Sequence, residues 1–502
     1  MVRVVMLGLL LLGGTLVPLQ LRAQWQTMSI SEGDMAVNLD EALTFRKYPT
    51  YGQYMEMMRH FQQAYPEICR LDTFGTTVEG RKLLVLKISD QAELEEAEAD
   101  FLYTSTIHGD EPLGMVLLLH LASDLLEGYG NDAEITGLVD SLAIWINPLA
   151  NPDGTYSAGG DTTLQGAVRF NVNEVDLNRN FPDAGEDLVT DTSGREPETK
   201  AMMALLQEHR FTMSANLHAG AEVVNYPWDH TYALHTDDDW FRFVSREYAD
   251  EARSVDPSYM NLFTNGITNG AQWYPVQGGR QDYVTWFLGG REVTLELSNE
   301  KLVASEFLEG YWQINRRSLL NYLAQCTYGI KGTVTDAETG NPLRARITIL
   351  GHDSTYSQVY GTALHGDFYR PIKEGVYEVV AEAPGYLGDT LVAVTADYAI
   401  TPLRFRLTAD GKSGFQEPGE KPFRLFPNPC SDLLFVDPGE IPHGKVRIEV
   451  RSVSGTLLKM VSATYSGAPL TLHLEELKQG TYLIRMISQG SVSSGRVVRL
   501  DP

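Results

Sequence analysis

The feature that most limits the fold is a change of texture at Cys326. Before it, from Tyr48 to about Gln325, helix-spaced and strand-length apolar segments alternate. Tyr54 to Tyr65 (YMEMMRHFQQAY) has helical spacing, whereas Leu83 to Ile88 (LLVLKI), Phe101 to Ile107 (FLYTSTI) and Ala143 to Ile146 are apolar runs of strand length. Pro112 to Glu127 reads as a long apolar helix with proline at its start, where a missing N–H does no harm. Alternation sustained over about 280 residues calls for an α/β domain with helices packed on a central sheet. After Cys326 come short alternating strands split by turn signals: GIKGTVTD, ETGNP, RARITIL, EGVYEVVAEAPGY. That pattern predicts a small all-β sandwich over residues 327–408. Residues 409–422 (DGKSGFQEPGEKP at their core) read as a polar linker, and a second β-rich unit follows over 423–502. The acidic run Glu93 to Asp100 reads as a solvated loop or helix start.

The first 24 residues open with Arg3, run apolar from Val4 to Leu21 apart from Thr15 and Gln20, and close on Leu21-Arg22-Ala23. Pro18, the Gly13-Gly14 pair and the small residue at 23 make this a signal peptide rather than a membrane anchor. Residues 25–40 read as a short arm or pro-segment. No later stretch is apolar enough to span a bilayer, so no transmembrane helix is expected in the mature protein. A net charge of −26 argues against a nucleic-acid partner and favours cationic small partners. Three cysteines cannot build a disulfide scaffold. A Cys69–Cys326 bridge and buried free thiols are both compatible with the sequence, and Cys430 lies in the last unit.

The chemistry-bearing residues lie in the α/β region. FLYTSTI runs into HGDE, so His108 and Glu111 stand three apart at a strand–helix junction. One imidazole and one carboxylate there suit a single zinc ion, and a third ligand is needed. His218, in the strand-like SANLHAG, is the candidate. The chain then carries NPDG (151–154), RFNVNEVDLNRNFPD (169–183), LHAGAEVVNYPWD (217–229), WYPVQGGRQDY (273–283) and VTLELSNEK (293–301).

Over about Tyr48 to Leu407 this collinear series resembles the zinc carboxypeptidase family, and within it the N/E-type regulatory carboxypeptidases, which carry a transthyretin-like sandwich directly after the catalytic domain. The resemblance implies a catalytic domain at 41–326, with a central mixed β-sheet flanked by helices, and a transthyretin-like domain at 327–408. It implies one zinc ion held by His108, Glu111 and His218, with Asp176 orienting the first histidine. It implies that Glu296 is the general base, that Arg169 stabilises the oxyanion, that Asn178 and Arg179 clamp the substrate carboxylate, and that Tyr274 closes over it. Asp229 and Gln281 match the residues that receive a Lys or Arg side chain. Arg280 departs from the subfamily's usual apolar residue, and Ala219 and Glu222 depart from its glycine-rich stretch. An Arg280 turned into the pocket would neutralise Asp229. The activity implied is hydrolysis of the C-terminal peptide bond of peptides or proteins, releasing Lys or Arg. Alternatives are a same-fold zinc peptidase of non-basic or cell-wall peptide specificity, and an inactive binding module.

Residues 423–502 resemble the sorting domain of the type IX secretion system, through LFPNPCSDLLFV, VSGTLL and LKQGTYLIRM. This implies a partner in that machinery, outer-membrane export from a Gram-negative bacterium, and a product secreted or attached to the cell surface.

Overall fold

The computed structural model describes residues 30–499 except 159, 188, 355, 411–423, 428–429, 438–443, 453–456, 466–468 and 489–490. The predicted signal peptide and nearly all of the predicted linker lie outside the described residues.

The α/β region is built on one eight-stranded mixed sheet, in the order β1-β2-β4-β3-β5-β8-β6-β7. The strands are β1 (Cys69–Thr76), β2 (Lys82–Ile88), β3 (Ala99–Ser105), β4 (Leu142–Asn147), β5 (Met213–His218), β6 (Ala221–Tyr226), β7 (Ile267–Asn269) and β8 (Arg291–Ser298). β4, β3, β5 and β8 run parallel as neighbours, and β6 returns antiparallel beside β8. The five main helices are α1 (Tyr51–Ala64), α2 (Leu113–Gly128), α3 (Pro197–His209), α4 (Asp238–Val255) and α5 (Leu308–Gln325). They cover both faces, which is why the central strands read as continuous apolar runs. Phe101 and Tyr103 of β3 join a core with α1, α2, α4 and α5, while Leu102, one residue between them, faces a second core with α3.

The predicted elements are recovered with shifted ends. The apolar run read to Ile107 leaves the sheet at Ser105, because Thr106 turns into the left-handed region (φ 61°). That turn leads the chain into His108. The acidic run is a loop only up to Glu98, since Ala99 and Asp100 already belong to β3. The described part of the predicted arm lies against the core: Ile30, Met35 and Ala36 are buried, and Asp34 accepts the Ser305 N–H at 2.8 Å. All three cysteines are free and buried, so Cys69 and Cys326 do not bridge.

Residues 329–407 form two small sheets from β9 (Gly329–Asp336), β10 (Arg346–Ile349), β11 (Val359–Tyr360), β12 (Asp367–Arg370), β13 (Gly375–Glu382), β14 (Asp389–Thr395) and β15 (Ile400–Leu407). Their orders are β11-β10-β13-β14 and β12-β9-β15. This double-sheet unit and the α/β region belong to one compact unit.

The remaining strands form a separate unit, again of two sheets: β16 (Arg424–Phe426), β17 (Leu433–Asp437), β18 (Gly444–Ser452), β19 (Leu457–Tyr465), β20 (Leu470–His473), β21 (Gly480–Ser488) and β22 (Ser491–Arg499). The orders are β16-β17-β20 and β19-β18-β21-β22, around a core that includes Leu434, Val436, Ile448, Val450, Ile484 and Val497. Among the described residues no helix is long and apolar enough to cross a membrane.

Candidate active site

Three adjacent parallel strands deliver their carboxyl ends to one place, where ligands of open α/β sheets gather. His108 follows β3, His218 ends β5, and Glu296 of β8 stands in register with His218. Asn151, at the start of NPDG, donates to the Ile107 carbonyl at 3.2 Å and so ties down the turn before His108.

His108 Nδ1 lies 3.0 Å from Glu111 Oε1 and 3.1 Å from His218 Nδ1, and His218 Nδ1 lies 2.9 Å from Glu111 Oε2. All three side chains are buried and their donor atoms lie within 4.8 Å of one another. Two imidazole nitrogens turned toward each other, with a carboxylate between, are stable only around a shared cation or proton. Two nitrogens and one oxygen with no fourth protein ligand are a donor set for zinc with an open position. Asp176 Oδ1 sits 3.2 Å from His108 Nε2 and can accept its proton, leaving Nδ1 free to ligate. Burial opposes charge on Glu111, but His108 and His218 hold its carboxyl well below the usual range. Burial likewise opposes charge on Asp176, and His108 and Arg169 hold it well below. Burial lowers His218 to about 4.

Arg169 is tied at Nε and Nη2 to Asp176 Oδ2, both at 2.9 Å, and presents Nη1 to the cradle, 3.7 Å from Glu111 Oε1. Glu296 is the exception in this network. Its Oε2 is buried without a hydrogen-bond partner, and burial followed by the charge of Glu111 pushes its pKa up. Tyr274 is 47% exposed at the mouth of a cavity of about 180 Å³ that Arg169, Asn178, Arg179, Asp229 and Glu296 also line. Asn178 uses Oδ1 to accept the Arg280 N–H at 2.9 Å.

Asp229 lies farther in, 6% exposed. Its Oδ1 accepts from Asn225 at 3.1 Å and from Gln281 at 3.0 Å, and Gln281 accepts in turn from Thr294 at 3.0 Å. No cation pairs with Asp229 among the described residues, and burial, then the nearby Asp282, push it well above the ordinary carboxylate range. Gly270 packs against it so closely that a Cβ there would stand 1.7 Å from Oδ1. Arg280 does not point at Asp229. It is fully buried and pairs with Glu292 at 2.7 Å, with a further bond to Thr104.

Against known proteins, the zinc carboxypeptidase family matches residues 54–318. The chain belongs to the zinc carboxypeptidase family. It is 38% identical over 371 residues to carboxypeptidase SOL1 of Arabidopsis thaliana, covering 71% of this chain and 73% of that one. It is 36% identical to carboxypeptidase M of Mus musculus, over 69% of this chain and 80% of that one. Against carboxypeptidase D of Rattus norvegicus the identity is 38% over 66% of this chain, but that stretch spans only 24% of the rat protein. The crystal structure of thrombin activatable fibrinolysis inhibitor shares the fold, with a TM-score of 0.50 at 18% identity over 58% of this chain and 77% of that one. Residues 424–499 match the secretion system C-terminal sorting domain, which directs type IX export to the cell surface or medium. As a zinc carboxypeptidase the protein is a zinc-dependent hydrolase, and the two-histidine, one-glutamate cradle fits its one zinc ion.

The structure adds contacts for residues to which the motifs assigned no role. Lys301 Nζ lies 3.0 Å from Glu111 Oε1 and 3.0 Å from Asp110 Oδ2. Asp282 accepts the Asp229 N–H at 3.0 and 3.1 Å. Glu292 and Thr294 were within reach of the sequence, since period two puts them on the same face of β8 as Glu296.

Proposed function

We propose that this zinc carboxypeptidase releases C-terminal Lys or Arg from peptides or proteins, with His108, Glu111 and His218 as zinc ligands. The observation that carries the basic preference is Asp229, a buried carboxylate left without a cation while Arg280 is spent on Glu292. A lysine or arginine side chain entering from the cavity supplies the missing charge. Asn225 and Gln281 hold the carboxylate in place while it waits.

Held by His108, Glu111 and His218, a zinc ion would supply Lewis acidity, lowering the pKa of a water and polarising the scissile carbonyl. Glu296 takes the proton of the attacking water through its unpartnered Oε2 and passes it to the leaving nitrogen. A carboxylate whose pKa is raised is suited to both halves of that task. Arg169, fixed from behind by Asp176, holds Nη1 where negative charge builds on the carbonyl oxygen. Arg179, with the Asn178 amide, binds the terminal carboxylate, and Tyr274 covers it from the solvent side. The substrate is thereby gripped at three points: its terminus, its carbonyl and its side chain.

The test is release of C-terminal Arg from a short acyl-dipeptide by the purified protein, with and without a zinc chelator. Chelator-sensitive release of Arg in preference to Phe and Glu is expected. Preferred release of Phe would overturn the basic specificity, and chelator-insensitive release would overturn the zinc ligands.

A further inference from the structure

The segments that form the Asp229 pocket rest on a side chain of the double-sheet unit. Trp228, the residue before Asp229, is 1% exposed, and its ring meets Tyr356 edge-on at 5.2 Å and Trp286 at 5.3 Å. Tyr356 lies between β10 and β11 and stacks on Trp286 at 4.3 Å, with 20° between the ring planes. Trp286 belongs to the helical turn Tyr283–Leu288, directly after Gln281 and Asp282. His230 meets Trp286 edge-on at 5.3 Å and places Nδ1 2.5 Å from Asp282 Oδ2, the same carboxylate that accepts the Asp229 N–H. One ring of the double-sheet unit therefore touches both segments that carry the pocket, one with Asp229 and one with Gln281.

A separate tie joins the same parts. Asp237 is fully buried and accepts from Arg370 at 2.8 and 2.9 Å, from His352 at 2.7 Å and from Arg291 of β8 at 2.8 Å. This network also fixes the double-sheet unit to the α/β region, and it adjoins Tyr356, since Arg291 Nη2 donates to the Ser357 carbonyl at 2.9 Å. Charge ties the units together at Asp237, and the aromatic stack touches both walls of the pocket.

We propose that Tyr356 is a positioning residue for side-chain recognition, its ring fixing Trp228 and Trp286 and with them the spacing of Asp229 and Gln281. The inference rests on the pocket reading given above. Tyr356 acts through its ring, since its hydroxyl makes no hydrogen bond among the described residues. Phenylalanine can therefore replace it, and a small residue cannot. A bidentate grip on a guanidinium is lost by displacements of about 1 Å, which leave the reacting atoms untouched.

The experiment is steady-state kinetics of the full-length, zinc-loaded protein and its Tyr356→Phe, Tyr356→Leu and Tyr356→Ala variants. The peptides are identical except for a terminal Arg, Lys, Phe or Ala. The readout is kcat/KM for the best side chain divided by that for Ala, a ratio in which any inactive fraction cancels. Tyr356→Ala and Tyr356→Leu are expected to lower this ratio about tenfold, through KM, with kcat on the Ala peptide held within about twofold. Tyr356→Phe is expected to keep it. Equal losses on all peptides, or an unchanged ratio with only a lower melting temperature, would overturn the proposal. A wild type that prefers Phe would overturn the basic-pocket reading alone, because the ratio then reports the same positioning for Phe.

Discussion

In the zinc cradle Glu111 and Asp176 meet imidazoles and cations; deeper in the same cavity, Asp229 meets only amides. Glu111 and Asp229 are both buried, at 3% and 6% exposed, and they treat charge in opposite ways. The cradle is closed on itself: Glu111 faces His108, His218 and Lys301, and Asp176 faces His108 and Arg169. The pocket is left open by one charge. A third carboxylate separates cause from accident, since Glu292, on the floor of the same region, is fully buried and fully paired with Arg280. The fold can satisfy a buried carboxylate there, and it does so for Glu292 and not for Asp229. Glu296 shares the condition of Asp229, with a buried oxygen that nothing bonds. On the function proposed above, the paired carboxylates hold things in place, and the unpaired ones receive the substrate's charge or the water's proton.

The comparison can be broken at its unpaired members first. Glu296→Gln should cut kcat on the order of 10³-fold, while metal analysis still finds one zinc per chain. Retained activity would remove Glu296 from the chemistry. Next comes the paired control. Arg280→Met leaves the Glu292 carboxylate buried with only the Ser214 hydroxyl as its partner and should cost about 3–5 kcal/mol in denaturant unfolding. The double change Arg280→Met with Glu292→Gln should recover most of that loss. If Arg280→Met instead improved turnover of Arg-ended peptides with no loss of stability, Arg280 would be a competitor of the substrate rather than the partner of Glu292.

The smallest effect sharpens the contrast through pH. The Asp229 carboxyl is raised in the folded protein, so the fold binds its proton more tightly than the unfolded chain does. Its contribution is most favourable below the ordinary carboxylate range and is lost as pH rises through the raised value. Asp229→Asn should therefore raise the melting temperature at pH 8 and leave it nearly unchanged near pH 4, measured without substrate. A variant less stable than wild type at pH 8 would mean that Asp229 already has its cation.

Most of the fold was legible because strands buried on both faces leave apolar runs that sequence cannot disguise. The three residues of the candidate zinc cradle were legible only through the motif series, since a lone HxxE pair or a strand histidine says little. What the sequence could not give was direction. Arg280 stands beside Gln281 in the chain, and nothing local says that its guanidinium turns away from Asp229 to Glu292 of β8, 12 residues on. Thr106 is a similar case: a β-branched residue in an apolar run reads as strand, yet it takes a positive φ and ends β3. The cysteines stayed open because spacing carries no distance, and the structure leaves each one free. The reach of Tyr356 into the pocket walls joins residues more than a hundred apart in the chain, beyond any periodicity.

The most direct measurement is kcat/KM for peptides ending in Arg, Lys and Phe, with wild type and Asp229→Asn side by side. An unpaired Asp229 predicts that wild type prefers Arg and Lys, and that the variant loses roughly 10²-fold on both while Phe release changes little. An equal loss on all three peptides, or none on any, would contradict the claim that this carboxylate is held in reserve for a basic side chain.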